Sequence, residues 1–215
     1  RDTDRSRGLG DVYKRQIIDN GIDYPGSNNH GSLCCINEQW YIFYHRGTNN
    51  TIMSRQACAE RIEILADGSI PKVEMTSLGF EDSLSPYKIT PADAACVLKG
   101  GCYLTEKNVF SRYITDITKG CVMGFKYFDF GDDYSSKTME VCFNVKGQGC
   151  RGLIRIVSDN YENGEELGVC EIGLDDGIYK ACIKAITGRH AIYFIADDNY
   201  TDWTAEMFKG KRLFE

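Results

Sequence analysis

From Ile17 onward, short apolar runs alternate with turn residues at intervals too short for helices. Ser32 to Ile36 is one such run. Asn37-Glu38 supplies a turn, and Gln39 to Tyr44 is the aromatic strand QWYIFY. Met53 to Ala57 reads as another strand. RIEIL and KVEMT flank the turn Ala66-Asp67-Gly68-Ser69 and predict a hairpin across it. The stretch GFEDSLSPYKITPAD holds two of the four prolines, lacks periodicity and reads as a linker over 81–95. Beyond it come the runs VMGFKYFDF, MEVCFNV, GLIRIVS, LGVCEIG, YKACIKAI and HAIYFIAD. They are punctuated by Gly147-Gln148-Gly149, Asn163-Gly164 and Asp176-Gly177. That spacing predicts an antiparallel β-sandwich or barrel, with no helix of useful length and no exact internal repeat.

Composition supports an all-β chain. The 215 residues suffice for one large domain or two small ones with a real core. Thirteen Tyr, ten Phe and 22 Gly suit strands joined by tight turns. No apolar run is long enough for a membrane-spanning helix, so no membrane partner is expected. A net charge of -6, with no basic run after the first residues, argues against a nucleic-acid surface. None of the ten cysteines forms a Cys-x-x-Cys pair, which removes zinc-ribbon and thioredoxin readings. Several lie inside apolar runs, where they read as buried free thiols acting as small hydrophobes, and they lean towards a reducing compartment. No P-loop, dinucleotide fingerprint, H-E-x-x-H or G-x-S-x-G pattern occurs.

The first residues look unlike a protein start. RDTDRSRGLGDVYKRQ begins with Arg, is highly charged and lacks the apolar stretch of a signal peptide. Asp11 to Gln16, DVYKRQ, resembles the in-frame translation of a transposase adaptor used in sequencing libraries. Residues 1–16 are therefore expected to be a disordered artefact, and the reading frame to continue upstream.

The pieces N-N-H-G-S, W-Y-x-F-Y-H-R, S-R-Q-x-C-A-E and D-G-S-I-P-x-V-E-M-T occur in that order within residues 17–80. Together they resemble the last part of the catalytic domain of glycoside hydrolase family 43, which contains arabinofuranosidases, β-xylosidases and arabinanases. The resemblance implies the final four-stranded blade of a five-bladed β-propeller. It also implies an inverting mechanism, whose general acid, general base and third Asp come from earlier blades. No catalytic residue is therefore assigned in this chain, and Glu60 and Glu74 are read as polar pairing partners. By resemblance, His30 of N-N-H-G-S points into the propeller channel and helps hold a metal ion, often calcium. An imidazole is an unusual calcium ligand, so the other ligands would be waters or oxygens. The competing reading of His30 is a buried imidazole bonded to backbone. Arg46 takes a sugar contact by resemblance, against an inter-blade salt bridge. Strand alternation sets His45 and Arg46 on opposite faces. For Trp40, Tyr41, Phe43 and Tyr44, blade packing outweighs a sugar platform.

Residues 96–215 resemble a family 6 carbohydrate-binding module through ITDITKGCVMGFKYFDFG and GRHAIYFIADD. This implies a jelly-roll-like β-sandwich that clamps a saccharide between aromatics at one end. The chain departs from that pattern. Gly120-Cys121-Val122 stands where Gly-Asp-Trp is common, and the usual C-terminal Asn and aromatic are missing. Trp203 is kept as a sugar-binding candidate, against packing of the last strand. Phe125, Tyr127 and Phe130 are expected in the core, and His190 in a structural hydrogen bond. The chain is thus expected to be a C-terminal fragment of a hydrolase acting on arabinose- and xylose-containing plant polysaccharides. Its expected partners are plant cell-wall saccharides and upstream blades of the same parent. The alternative is a non-catalytic carbohydrate-binding or domain-packing β-module. Location is left between cytoplasmic and extracellular. Residues 17–80 are expected to be poorly stable alone, and the sandwich to fold alone.

Overall fold

A computed structural model of the chain describes residues 17–19, 23–24, 29–108, 111–146 and 151–197, and the backbone of 203–211. The expected strand at 32–36 and the aromatic strand after it form a hairpin, β1 (Ser32–Ile36) and β2 (Gln39–Gly47). Asn37 and Glu38 at its tip have φ of 50° and 67°. Two successive left-handed residues give the turn a twist that matches the flanking strands. β3 (Arg55–Ile62) completes a three-stranded antiparallel sheet in the order β1-β2-β3. Tyr41 and Phe43 pack on Phe80 at ring-centroid distances of 5.1 and 6.0 Å. Ile42, Tyr44 and Arg46 project from the opposite face and are buried.

Gly31 precedes this hairpin because no other residue fits there. A Cβ on Gly31 would lie 1.9 Å from the Phe43 carbonyl oxygen, a backbone atom that cannot swing away. Gly31→Ala is expected to destabilise the chain by about 1–3 kcal/mol, the usual range for overpacking. A denaturant midpoint unchanged from the parent would contradict this.

Two expectations about the middle of the chain give way. RIEIL and KVEMT do not pair. The turn forms, with Leu65 N donating to Ser69 O at 2.9 Å, but Arg61 and Ile62 are already paired with Tyr41 and Trp40. Residues 63–65 are exposed, and Val73 instead bridges Ile18 in parallel. The expected linker over 81–95 is tied to the sheets at two points. Leu84 bridges Phe128, with hydrogen bonds from Leu84 N to Tyr127 O and from Asp129 N to Leu84 O. β4 (Thr90–Pro91) pairs with β14 (Trp203–Lys211), and the 3-10 turn Ala92–Ala94 follows it. The prolines punctuate this segment without detaching it.

The rest is the expected sandwich. The six runs read from the sequence are β8 (Val122–Asp129), β9 (Thr138–Lys146), β10 (Gly152–Ser158), β11 (Glu165–Ile172), β12 (Gly177–Lys184) and β13 (Arg189–Asp197). Three shorter strands lacked a clear pattern: β5 (Val97–Lys99), β6 (Tyr103–Asn108) and β7 (Ser111–Ile117). One sheet runs β11-β10-β13-β8-β5; the other runs β12-β9-β14-β7-β6, with β4 added on β14. β9 alternates strictly, burying Met139, Val141, Phe143 and Val145. Phe194 links the sheets, meeting Phe125 at 5.8 Å and Phe143 at 5.0 Å edge to face. Phe125 and Phe130 are buried as expected, whereas Tyr127 is half-buried. The core is continuous with Ile42, Tyr44, Ile62 and Met75 of the first unit.

Candidate functional site

A buried polar cluster lies where the three-stranded sheet meets the sandwich. Alternation along β2 aims Tyr44 and Arg46 at the sandwich, and the antiparallel register sets Glu60 opposite Ile42 on the neighbouring strand. Arg46 is 3% exposed and Glu60 4%. Arg46 Nη1 donates to Ala95 O at 2.8 Å, and Nη2 donates to Thr76 O at 2.6 Å and Tyr44 Oη at 2.9 Å. Tyr44 Oη donates to Glu60 Oε1 at 2.9 Å, which Thr76 N also reaches at 2.8 Å. Thr76 Oγ1 donates to the other carboxylate oxygen at 2.5 Å. The Arg46 guanidinium lies 3.6 Å from Glu60 Oε1 and 5.5 Å from the Tyr24 ring centroid. Burial pushes the Glu60 carboxyl up, more than the hydrogen bonds from Thr76, the Arg46 charge and Tyr44 pull it down.

Arg46, expected at a sugar or in a salt bridge, is enclosed by protein groups in this chain, with Glu60 beside it. Its guanidinium is spent on two backbone carbonyls and a tyrosine hydroxyl rather than presented to a sugar. The Ala95 carbonyl opens the sandwich, so Arg46 fastens one unit to the other.

A second row of contacts continues the seam. Asn49 N donates to Leu104 O at 2.6 Å, and Asn49 Oδ1 accepts from Thr105 Oγ1 and Glu106 N at 3.0 and 2.8 Å. The Glu106 carboxylate accepts from Thr48 Oγ1 at 3.0 Å and Arg112 Nε at 3.2 Å. Burial alone would raise Glu106, but Arg112, Thr48 and Ser54 outweigh it and hold the carboxyl below its ordinary value. Gln56 Nε2 reaches Asp93 O at 3.0 Å. On the other flank, Glu74 accepts from Lys126 Nζ and Tyr127 Oη, both at 2.9 Å, and Ser77 N donates to Lys126 O at 2.8 Å. Glu60 and Glu74 therefore sit in networks within the protein. Thr48, Asn49, Glu106 and Arg112 escaped the sequence reading, because Thr48 and Glu106 stand 58 residues apart and neither belongs to a local motif.

His30 is exposed at the start of the hairpin, with its ring 4.7 Å from that of His45. Ile17, Ile18, Asn29, Gly31 and Tyr44 line the shallow cleft beside it. Both polar atoms of the Asn29 amide are buried there without a hydrogen-bond partner among the described residues. No three His, Cys, Asp or Glu side chains gather to hold a metal ion among the described residues. His30 beside the His45 imidazole, with no carboxylate among the described residues lining the cleft, does not by itself fit calcium, which takes six to eight oxygens. Trp203 lies in β14 opposite Ile117, and its side chain falls outside the described residues. Trp40 is 39% exposed, while Tyr41 and Tyr44 are buried in packing.

His190 holds the structural bond expected of it. Nδ1 lies 2.8 Å from Asp159 Oδ2, and Nε2 lies 2.8 Å from Thr187 O. A carboxylate and a carbonyl both accept, so the doubly protonated ring satisfies both. Burial works against the charge, but Asp159, the Thr187 carbonyl and Glu165 outweigh it and raise the pKa. A raised folded-state pKa favours folding when the ring is charged. The contribution is expected in full below the unfolded value and lost as pH rises through the folded one. His190→Gln should therefore lose stability at pH 5.5 and match the parent at pH 8.5. Equal losses at both pH values in urea titrations would contradict this.

Nine cysteines are free thiols: Cys34, Cys35 and Cys182 are exposed, Cys58 and Cys142 half-buried, and Cys96, Cys102, Cys121 and Cys170 buried. The small-hydrophobe reading thus suits four of them. Cys150 lies outside the described residues.

No protein-family model matches the chain. It is 38% identical to a xylosidase/arabinosidase from Thermoclostridium stercorarium, over 80% of this chain and 40% of that protein. The chain therefore spans about two fifths of the length of the curated relative it matches. Among solved structures, it resembles a glycoside hydrolase family 43 arabinoxylan arabinofuranohydrolase from Bacillus subtilis in complex with cellotetraose. That likeness has a TM-score of 0.58 and 19% identity over 91% of this chain and 44% of the other. A family 6 carbohydrate-binding module from Clostridium cellulolyticum, in complex with xylose, matches 60% of this chain over its full length, with TM-score 0.52 and 18% identity. The chain is thus similar over 80% of its length to a xylosidase/arabinosidase, and its all-β fold resembles part of a family 43 glycoside hydrolase structure and, in the sandwich, a family 6 carbohydrate-binding module.

Proposed function

We propose that this chain is the C-terminal part of a glycoside hydrolase that cleaves O-glycosidic bonds in arabinose- and xylose-containing plant polysaccharides. The carrying observation is the 38% identity to a xylosidase/arabinosidase, which extends over 80% of the chain, more than either unit supplies alone. The seam adds a physical role. Arg46, Asn49, Glu74 and Glu106 bond the last propeller strands to the sandwich along their length, so the sandwich buttresses the propeller rather than swinging from a tether. β1 is exposed throughout, with Leu33 at 41% and Ile36 at 38%, the state of an edge that a preceding strand would cover.

Inverting hydrolysis needs one carboxylic acid to protonate the leaving oxygen and one carboxylate to activate water. Upstream blades would supply both, since Glu60 and Glu74 here are tied into the seam. If the whole propeller holds calcium in its channel, His30 would contribute a single nitrogen, and the remaining oxygens would come from water or upstream residues. The saccharides named with the two solved relatives favour a plant cell-wall polysaccharide as partner.

The test begins with the reading frame across the Gln16–Ile17 junction. The whole protein is expressed and incubated with arabinoxylan, and released pentose is followed by proton NMR. Release of arabinose or xylose with inverted anomeric configuration is expected, and none from the present chain alone. A whole protein that binds arabinoxylan without releasing sugar would sink the proposal.

A further inference from the structure

Cys102 ends the turn between β5 and β6, and Cys121 immediately precedes β8. β5 pairs with β8 so that Lys99 stands opposite Val122, which lays the turn Gly100–Cys102 against Gly120 and Cys121. The approach is close, since a Cβ on Gly100 would lie 2.8 Å from Cys121 Cα. Both cysteines are 0% exposed, and their sulfurs approach backbone carbonyls of the same turn, Lys99 O for Cys102 and Gly100 O for Cys121. Cys102 Sγ lies 3.3 Å from Lys99 O and 3.9 Å from Val122 O. Cys121 Sγ accepts from Thr118 N at 3.2 Å and lies 3.3 Å from Gly100 O. The Cys102 thiol, followed by the Thr118 amide and hydroxyl, draws Cys121 down to about 6 against the effect of burial. Cys102 is pushed far up by the neighbouring Cys121 and by burial. The close approach of the Cys102 turn to Cys121 sets this pair apart from Cys96 and Cys170, whose thiols are raised chiefly by burial.

We propose that Cys102 and Cys121 are a disulfide-forming pair that ties the β5–β6 turn to β8 when the chain folds in the presence of a disulfide oxidant. The Cys121 thiolate attacks one sulfur of a small-molecule disulfide, whose S–S bond breaks and releases one thiolate. Cys102 then loses its proton to water and attacks the Cys121 sulfur of the mixed disulfide, expelling the second thiolate. The two cysteines lose two electrons together, and the oxidant gains them as two thiols. Because both sulfurs are buried, the exchange takes place before the strands close or during local opening.

The experiment refolds the full chain in a buffer of reduced and oxidised glutathione, quenches with iodoacetamide under denaturing conditions, and digests with trypsin. Cys102 and Cys121 fall in separate peptides, GGCYLTEK and GCVMGFK, neither holding another cysteine. A linked species, about 2 Da lighter than the sum of the two reduced peptides, is expected. The oxidised chain should melt on the order of 5 °C above the reduced one. Cys102→Ser and Cys121→Ala should each abolish both the linked species and the shift. Full alkylation of both peptides after oxidative refolding, or linkage of either to another cysteine, would overturn the proposal. The wild-type mass readout stands even where a variant fails to fold.

Discussion

Replacing Arg46 by methionine is expected to lower the unfolding free energy by about 3–5 kcal/mol, the range for removing one partner of a buried ion pair. The loss follows from what remains. Glu60 keeps a buried carboxylate without its cation, and the carbonyls of Thr76 and Ala95 lose their donor. Arg46→Met keeps most of the apolar stem, so packing changes little. Arg46→Met combined with Glu60→Gln should recover part of the loss, because the orphaned charge is gone. The pH dependence carries a sign. Glu60 already titrates above its ordinary value, so protonation favours the folded state, and that contribution fades as pH rises through the folded pKa. Without Arg46 the value rises further, and the deficit of the variant should shrink as pH falls from 7 to 5. Urea titrations at both pH values measure it. A loss below about 1 kcal/mol at pH 7, as for an exposed pair, would show that Arg46 does not fasten the seam.

The second large effect is expected at Phe194. Its ring spans the sandwich, meeting Phe125 within its own sheet and Phe143 across the core. Phe194→Ala is expected to cost about 3–5 kcal/mol through lost transfer energy and the cavity left behind. The more informative outcome is where the loss appears. Phe194, Ile114, Leu104, Tyr44 and Ile62 belong to one continuous core. The first unit and the sandwich are therefore expected to unfold in one transition, and Phe194→Ala to lower both. In a Trp203→Phe background, the fluorescence of Trp40 reports on the first unit alone, because the chain has two tryptophans. If Trp40 kept its midpoint while far-ultraviolet circular dichroism lost its own, the units would be independent and the buttress reading would fail.

The strands legible in the sequence are short apolar runs bounded by turn residues, and some of them also alternate in burial. In β9, Met139, Val141, Phe143 and Val145 point inward and their neighbours outward, a period of two that exists before any tertiary contact. β1 and β2 were legible as short apolar and aromatic runs with a two-residue turn between them, although β1 is exposed throughout. β5, β6 and β7 were not. Val97 and Leu98, on opposite faces of three-residue β5, are both buried, so no alternation shows there. The failed hairpin over 61–65 and 72–76 had correct turn chemistry, yet Arg61 and Ile62 were already committed to β2. The segment 81–95 has the composition of a linker because its order comes from Phe128 and β14, both distant in sequence.

The chain by itself therefore determined an all-β architecture, six sandwich strands, the first hairpin and a motif series shared with a family of hydrolases. These rest on local periodicity, turn preference and residue order, which are properties of a one-dimensional string. Only the tertiary structure decided what the charged groups do. Arg46 meets Ala95 across 49 residues, Thr48 meets Glu106 across 58, and Lys126 meets Glu74 across 52. Cys102 and Cys121 become a pair because β5 and β8 share a register. A buried charge or thiol takes its chemistry from whatever the fold brings within hydrogen-bond distance. That neighbour is set by the pairing of strands, not by the sequence on either side.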